Sequence, residues 1–403
     1  MSGGPPGRRR WQEPNAGTPE AINERVLAEV RTRALASAGS LSGADLASAV
    51  HASGQVVGSS SAVRMVRDLS DSMLGLGPLQ SLADVPGTTD VLVDAHGEVW
   101  CDGPAGLRSS GTRFETPAAV RELAVRLMAA GGRRLDDAAP FADVVLDRYR
   151  IHALLPPLST GGPLLSIRIQ DPETRTLHQL LADARWRKAM EAIIGARMNF
   201  LICGGTGSGK TTLLSAMLLA VPGTERIIVV EDACELTPPH RHLIGLQTRL
   251  GNVEGAGVVT LDMLLRQALR MRPDRLVVGE CRGPEVRGFL GAMNTGHDGA
   301  GGTVHANSIH ALPARLTAMG ALAGLEPAAT ALQATSALDV LIHMERRGQH
   351  RAPVQLGRLL PDGSGAMLVE TIATLDDSGM TQPGPGLSWF TDRLEAKDLP
   401  CPW

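Results

Sequence analysis

The sequence has few lysines, few aromatic residues and no long apolar run. Only three of its 39 lysines and arginines are lysines, and aromatic residues make up 3% of the 403-residue chain. The formal net charge of −3 provides no overall positive field that would attract nucleic acid. No window of about 18 residues is apolar throughout, so we expect no membrane-spanning helix.

The five cysteines are scattered and form neither a CxxC pair nor a zinc-binding spacing. This usage predicts reduced thiols in a cytoplasmic protein rather than a disulfide framework. The arginines at positions 8–10 are followed by no apolar stretch, which excludes a secretory signal there. A cytoplasmic location is therefore expected.

Changes in composition predict several segments along the chain. Short strand-like runs around one helix indicate a small α+β domain, with a hairpin formed by Arg150–Leu155 and Leu164–Ile169. Further on, apolar strand-like runs alternate with helical stretches, a pattern typical of a mostly parallel sheet flanked by helices. The predicted segments are a disordered tail (1–17), an N-terminal helical region (18–74), the small domain (75–169), a linker (170–176), an α/β domain (177–376) and a loosely attached C-terminal tail (377–403).

The segment Gly204–Thr211 matches the pattern GxxxxGK[ST], with an apolar strand-like run before it and a helical run after it. Glycines at these positions let backbone N–H groups surround phosphates at a helix N-terminus. Lys210 would reach the β- and γ-phosphates of ATP, and the Thr211 hydroxyl would bind Mg²⁺. The predicted nucleotide-binding residues are Gly204, Gly205, Thr206, Gly207, Ser208, Gly209, Lys210, Thr211 and Thr212.

Acidic residues follow two further strand-like runs. Glu231 and Asp232 end one run and Glu280 ends another, where Gly279 occupies the place of the usual Walker B aspartate. Carboxylates at such strand ends open onto the same crevice as the phosphate loop. Together with Thr211, Asp232 and Glu280 are predicted Mg²⁺ ligands, and either Glu231 or Glu280 is the predicted catalytic base.

Two histidines lie on either side of a glycine-rich turn, His297 before it and His305 after it. A lone histidine in such a place is usually part of a packed polar loop, but two of them beside a strand favour a sensor of the γ-phosphate. The segment contains no HxxxH or cysteine partner, so zinc is not expected.

These segments resemble the secretion ATPases of bacterial type II and type IV systems and pilus assembly machines. Within that family the chain is similar to the tight-adherence (Flp) pilus, CpaF-like branch and to conjugal-transfer ATPases, and it lacks the zinc-binding tetracysteine of many type II members. The segments that carry the resemblance are GLGPLQSL at 75–82, TDVLVD at 89–94, RIHALLPP at 150–157, LLSIR at 164–168, GGTGSGKTT at 204–212, VVEDACEL at 229–236, LRMRPDRLVVGECRGPE at 269–285, GHDGAGGTVHANS at 296–308 and SALDVLIHMER at 336–346.

The resemblance implies an α/β fold: a RecA-like P-loop motor domain with a mostly parallel sheet, preceded by a smaller PAS-like α+β domain and N-terminal helices. It implies a homo-oligomer, expected to be a hexamer, at the cytoplasmic face of inner-membrane platform proteins. It assigns Glu231 and Asp232 to an acidic box, Glu280 to Walker B, and His297 and His305 to a histidine box. Arg134, Arg150 and Arg168 match arginines that such proteins use on nucleotide.

The predicted function is an ATP-hydrolysing oligomeric motor that powers assembly or export of a pilus or secretion apparatus. The alternatives are a nucleic-acid translocase with a related RecA-like core or a conjugal DNA-transfer ATPase, and a scaffold that binds nucleotide without hydrolysing it. The balanced charge and the scarcity of aromatic residues for base stacking argue against nucleic acid as a partner.

Overall fold

The computed structural model describes residues 75–170, 174–249, 257–348 and 350–403. The predicted N-terminal tail (1–17) and helical region (18–74) lie outside the described residues. The chain divides into two compact units, the first ending at Ile169 and the second beginning at Gln170. None of the described helices is long and apolar enough to cross a membrane.

The described residues of the first unit form an antiparallel six-stranded sheet with the order β3-β2-β1-β6-β5-β4. Its helices are α1 (Gln80–Ala83), which follows a 3₁₀ turn (Gly77–Leu79), and α2 (Pro117–Ala130). The strands are β1 (Asp90–Val93), β2 (Glu98–Asp102), β3 (Arg108–Arg113), β4 (Phe141–Leu146), β5 (Tyr149–Leu154) and β6 (Leu164–Ile169).

Strand β5 shows how the first unit is built. Its side chains alternate between buried and partly exposed, so one face of the sheet joins the core with α2 and the other stays open. Arg150 on β5 pairs directly with Arg168 on β6, which confirms the predicted hairpin. Both arginines lie on the open face, because the side chains of Tyr149, Ile151 and Ile167 beside them are buried on the other face.

The described residues of the second unit form a nine-stranded sheet with the order β15-β14-β13-β12-β7-β11-β10-β8-β9. The strands from β12 to β9 in this order run parallel, and β13, β14 and β15 are added antiparallel to β12. The strands are β7 (Phe200–Cys203), β8 (Ile227–Glu231), β9 (Leu243–Gln247), β10 (Arg275–Cys281), β11 (Gly301–Val304), β12 (Val340–Arg347), β13 (His350–Pro361), β14 (Met367–Leu375) and β15 (Thr381–Pro383).

Helices cover both faces of this sheet. Val229 and Val277 point into one core together with α4, α5 and α10, whereas Val230 and Val278 point into the other with α6, α7, α8 and α9. This two-sided burial explains why the central strands are continuous apolar runs. The helices are α3 (Leu177–Leu180), α4 (Ala184–Gly195), α5 (Lys210–Leu219), α6 (Leu261–Ala268), α7 (Val286–Met293), α8 (Leu312–Leu322), α9 (Pro327–Ala337) and α10 (Leu387–Glu395), with 3₁₀ turns at Leu269–Met271 and Ile309–Ala311.

The predicted loosely attached tail (377–403) is instead part of the second unit, and that prediction was wrong. Strand β15 extends the sheet, and Phe390 and Leu394 of α10 are fully buried in one core. Trp403 packs edge-to-face on Trp186, with ring centroids 5.5 Å apart. The polar composition of this segment concealed a helical spacing of apolar residues, which is enough to dock a short helix.

Candidate functional site

The phosphate loop connects the end of β7 to the start of α5. Strand β7 is buried along its whole length, and α5 begins at Lys210. Gly209 precedes the helix with a left-handed backbone (φ 92°, ψ 19°), a conformation that glycine adopts without steric cost. The predicted strand–loop–helix context of Gly204–Thr211 is therefore confirmed.

The ammonium group of Lys210 is held inside the mouth of this loop. Its Nζ donates hydrogen bonds to the carbonyl oxygens of Gly204 (3.0 Å) and Gly205 (2.9 Å) and lies 3.5 Å from His305 Nδ1. Burial lowers the pKa of Lys210, an effect opposed by the negative charge of Glu280. The lysine thus stands at one end of the loop, near a carboxylate and a histidine.

Glu280 completes this group of charges. Its Oε2 accepts a hydrogen bond from Arg282 Nη2 at 2.6 Å, and its Oε1 lies 3.0 Å from His305 Nε2. The His305 contact has an ion-pair distance without hydrogen-bond geometry, so Oε1 remains a buried acceptor with no donor among the described residues. Burial would raise the pKa of Glu280, but Arg282, His305 and Lys210 together hold that pKa below its usual value of 4.5.

Glu231 has a different environment. Its side chain is buried and accepts hydrogen bonds from the backbone N–H groups of Glu235 and Leu236 at 3.2 Å. Burial nevertheless raises the pKa of Glu231 to about 7. The carboxyl group therefore fixes the loop that follows β8, whereas Glu280 offers an acceptor at the lysine.

Gly279 makes room for Glu231. The β8–β10 register pairs Val230 with Val278, which places Gly279 beside Glu231 on the neighbouring strand. A Cβ atom on Gly279 would lie 2.6 Å from Glu231 Cγ, closer than real side chains approach. The glycine in place of the usual aspartate is thus required by the buried glutamate next to it.

Asp232 and Thr211 are the other two predicted Mg²⁺ ligands. Asp232 is exposed, and its Oδ1 accepts a hydrogen bond from Thr248 Oγ1 at 3.3 Å. Within the described ranges, no group of three or more His, Cys, Asp or Glu residues could hold a metal ion by itself. A Mg²⁺ ion that arrives with a nucleotide needs only one or two protein ligands, because phosphates and water supply the rest. The Thr211 hydroxyl at the start of α5 and the Glu280 carboxylate fit that limited role.

The structure separates the two predicted histidines. His305 follows β11 at the carboxyl edge of the sheet, where burial and Lys210 lower its pKa against the opposing charge of Glu280. His297 precedes β11, and its Nδ1 lies 3.1 Å from the carbonyl oxygen of Ala292. The four residues of β11 set the two apart by roughly 13 Å at about 3.3 Å per residue. His297 therefore lies before the start of β11, away from the strand end that His305 follows, and its role in the phosphate site stays a prediction.

The three predicted arginines belong to the first unit. Arg168 donates from Nε to Asp90 Oδ1 at 3.2 Å, and Arg150 is its partner on the neighbouring strand. Arg134 is paired with Asp136 in the segment after α2. Their role on nucleotide stays a prediction.

Two arginines of the second unit were not found by sequence reasoning. Arg351, at the start of β13, donates from Nε to the carbonyl oxygen of Gly207 at 2.8 Å. Arg315 on α8 lines a cavity of about 390 Å³ together with Gly204, Gly205 and His305. No local motif marks either arginine. The strand order brings Arg351 to the loop, and the packing of α8 brings Arg315 there.

Comparisons with known proteins agree with this architecture. The model of the family described as "Type II/IV secretion system protein" matches residues 77–352. A putative conjugal transfer protein of Mycobacterium tuberculosis is 50% identical over 309 residues, which cover 73% of this chain and 88% of the relative. The protein VirB11 of Agrobacterium fabrum is 30% identical over 267 residues, which cover 57% of this chain and 75% of that protein.

Among solved structures, the pilus retraction motor PilT with bound ADP is similar in fold. The TM-score is 0.51 at 21% sequence identity, and the match covers 73% of this chain and 80% of that structure. This likeness supports the α/β fold that the sequence predicted.

Proposed function

Because this chain belongs to the type II/IV secretion system protein family, we propose that it is an oligomeric motor that hydrolyses ATP with Mg²⁺. One observation carries the proposal. His305 lies between the ammonium group of Lys210 and the carboxylate of Glu280, at the mouth of a glycine loop that begins a helix. Phosphate binding needs the lysine, and activation of water needs the carboxylate.

In this proposal, backbone N–H groups of the loop and Lys210 bind the phosphates of ATP. Thr211, Glu280 and Asp232 would hold the Mg²⁺ ion, which supplies positive charge to the phosphate oxygens. Position 204 requires glycine, because a Cβ on Gly204 would lie 2.4 Å from the Met344 carbonyl oxygen and 2.5 Å from Ser208 Oγ. The backbone there is free of side-chain bulk.

We assign the orientation of the attacking water to Glu280 rather than to Glu231. The Oε1 atom of Glu280 is a buried acceptor that a water molecule could satisfy. The carboxyl oxygens of Glu231 already accept two backbone hydrogen bonds and stand against Gly279. Glu231 would therefore position the 232–236 loop, while Glu280 acts on the water.

At the level of the assembly, the proposal is a homo-hexamer of the tight-adherence pilus or a related branch. It would act at the cytoplasmic face of the inner membrane on platform proteins, and its first unit would move against the second during the ATP cycle. Arg134, Arg150 and Arg168 would supply positive charge to the phosphates, within one subunit or from a neighbour. The name of the mycobacterial relative favours a second candidate, a conjugal DNA-transfer ATPase.

The test is phosphate release by the full chain, with Glu280→Gln as the key variant. Glu280→Gln should bind ATP within a few-fold of the unaltered protein, yet hydrolyse it at least about 100-fold more slowly, because it removes the group that orients the water. The matched control is Glu191→Gln on α4, an exposed glutamate. Loss of nucleotide binding in Glu280→Gln would instead make Glu280 a structural residue.

The two candidate functions differ in their response to DNA. A pilus or secretion motor should release phosphate at the same rate with and without DNA and retain little DNA on a filter. Stimulation of hydrolysis by DNA, with filter retention, would favour the DNA-transfer candidate.

A further inference from the structure

A cavity of about 390 Å³ opens beside the first residues of the phosphate loop. Gly204, Gly205 and His305 line it together with Arg315 and two small alanine residues of helix α8. Arg315 is the cationic side chain that α8 contributes to this lining. The cavity therefore joins the phosphate loop to an arginine of the same unit.

The Nε–H group of Arg315 is buried and has no acceptor among the residues that the structure describes. A buried donor without a partner costs about 1–3 kcal/mol, and more when it belongs to a charged group. Such groups are rare in folded proteins and call for an explanation, of which a ligand is one. The charge of Arg315 also acts inside the cavity, where it helps to lower the pKa of His305.

The position of Lys210 identifies which end of a nucleotide would face this cavity. The lysine of a phosphate loop reaches the β- and γ-phosphates. Here its Nζ lies at the carbonyl groups of Gly204 and Gly205 and 3.5 Å from His305, and these three residues also line the cavity. The cavity is thus at the terminal-phosphate end of the loop.

We propose that Arg315 donates hydrogen bonds to the terminal phosphoryl group of bound ATP, as a phosphate-binding residue of the second unit itself. This inference rests on the proposed ATPase function. An anionic phosphoryl oxygen would give the Nε–H group its missing acceptor and would place the guanidinium opposite Lys210. The second unit by itself would then bind ATP more tightly than ADP, without a contribution from the arginines of the first unit.

The test compares ADP with a non-hydrolysable ATP analogue, each with Mg²⁺, on the full chain. In Arg315→Met the analogue should bind roughly tenfold more weakly, while ADP affinity should change less than twofold, because ADP lacks the group that Arg315 contacts. Arg315→Lys should recover part of the loss, since lysine keeps the charge and a donor. Arg241→Met, an exposed arginine before β9, is the control for loss of one positive charge.

Folding is monitored by the thermal melting of each variant without nucleotide. Arg315→Met removes an unpartnered buried donor, so its melting temperature should not fall. Equal weakening of ADP and the analogue, or no weakening of either, would overturn the assignment of Arg315. Failure of the unaltered chain to bind both nucleotides would instead overturn the proposed ATPase function, whatever Arg315 does.

Discussion

Lys210 shows how a single side chain decides whether the loop can bind phosphate. Its side chain is buried, and the carbonyl oxygens of Gly204 and Gly205 accept hydrogen bonds from its ammonium group. Phosphoryl oxygens would be stronger acceptors in the same place, because a charged acceptor strengthens a hydrogen bond roughly twofold. A compact ammonium group fits between phosphates where a planar guanidinium does not, so we expect lysine to be needed here although arginine is the usual cation of this sequence.

Lys210→Ala should lower phosphate release by at least about 100-fold, because the transferred phosphoryl group loses its positive partner. Lys188→Ala is the matched control, since Lys188 is an exposed lysine on α4. Steady-state phosphate release at saturating ATP measures the effect. Activity that survives in Lys210→Ala would contradict the phosphate site.

Glu231 leads to a prediction about stability and pH. Burial raises its pKa from 4.5 to about 7 in the folded chain. Between these values the folded state binds more protons than the unfolded state, so the free energy of unfolding falls as pH rises through this window. The slope is at most about 1.4 kcal/mol for each pH unit.

The variant Glu231→Gln removes this titration and should flatten that part of the pH profile. The free energy of unfolding of Glu231→Gln, minus that of the unaltered chain, should be larger at pH 8 than at pH 5. Denaturant unfolding of both proteins at the two pH values measures this difference. Glu122→Gln, an exposed glutamate of α2, controls for the loss of one negative charge. Parallel profiles for Glu231→Gln and the unaltered chain would show that Glu231 does not titrate in this window.

At the scale of elements, the β12–β13 hairpin supports the phosphate loop from outside. Arg351 binds the carbonyl oxygen of Gly207, and Ser208 N–H points back towards the carbonyl oxygen of Gly205 within the loop. In a planar trans peptide, the carbonyl and the following N–H point in opposite directions. Because Arg351 holds the Gly207 carbonyl group on the outside of the phosphate loop, the N–H group of Ser208 points towards the inside of the loop.

Arg351→Met should therefore weaken the binding of both ATP and ADP by roughly three- to tenfold, the effect expected from one hydrogen bond. Arg351→Gln should restore part of the affinity, because it keeps a donor without the charge. Arg346→Met is the control, since Arg346 donates to Gly348 on the same hairpin. Recovery by lysine but not by glutamine would show that the charge matters rather than the orientation of the peptide.

The sequence predicted the elements whose side chains are uniformly buried. The apolar run predicted before the phosphate loop coincides with β7, and the strand-like run that ends at Glu280 lies within β10. Strand β9 was not predicted, because Gly245 interrupts its apolar residues and none of its five residues is buried. Local patterns reveal a strand when both of its faces are buried, and they become weak at the sheet edge.

The site was predictable where chemistry follows directly from a strand end. Glu231 and Glu280 end neighbouring parallel strands, so the same edge brings them together. The sequence did not show that His297 and His305 lie at opposite ends of a strand, because their spacing of eight residues does not reveal that four of the residues between them are extended. Arg315 lies on α8, which packs onto the sheet beyond β11, and no local pattern encodes that position.

At the scale of the whole molecule, the C-terminal segment completes one core of the second unit. Phe390 and Leu394 are fully buried with residues of α4 and α5, and the Trp186 Nε1–H group donates to Thr381 Oγ1 at 3.0 Å. Helix α5 begins at Lys210, so the same core supports the end of the phosphate loop. Loss of this packing should affect the site as well as stability.

Phe390→Ala should lower the free energy of unfolding of the second unit by about 3–5 kcal/mol, because it removes a large buried side chain and leaves a cavity. The exposed Met380, changed to alanine, is the control for a side chain of similar size outside the core. Denaturant unfolding monitored by tryptophan fluorescence would follow the transition, since Trp186 and Trp403 lie in the same cluster. If Phe390→Ala unfolded at the same denaturant concentration as Met380→Ala, α10 would not be part of the core. Saturating ADP should recover part of the loss, because a ligand that binds the folded state alone stabilises it.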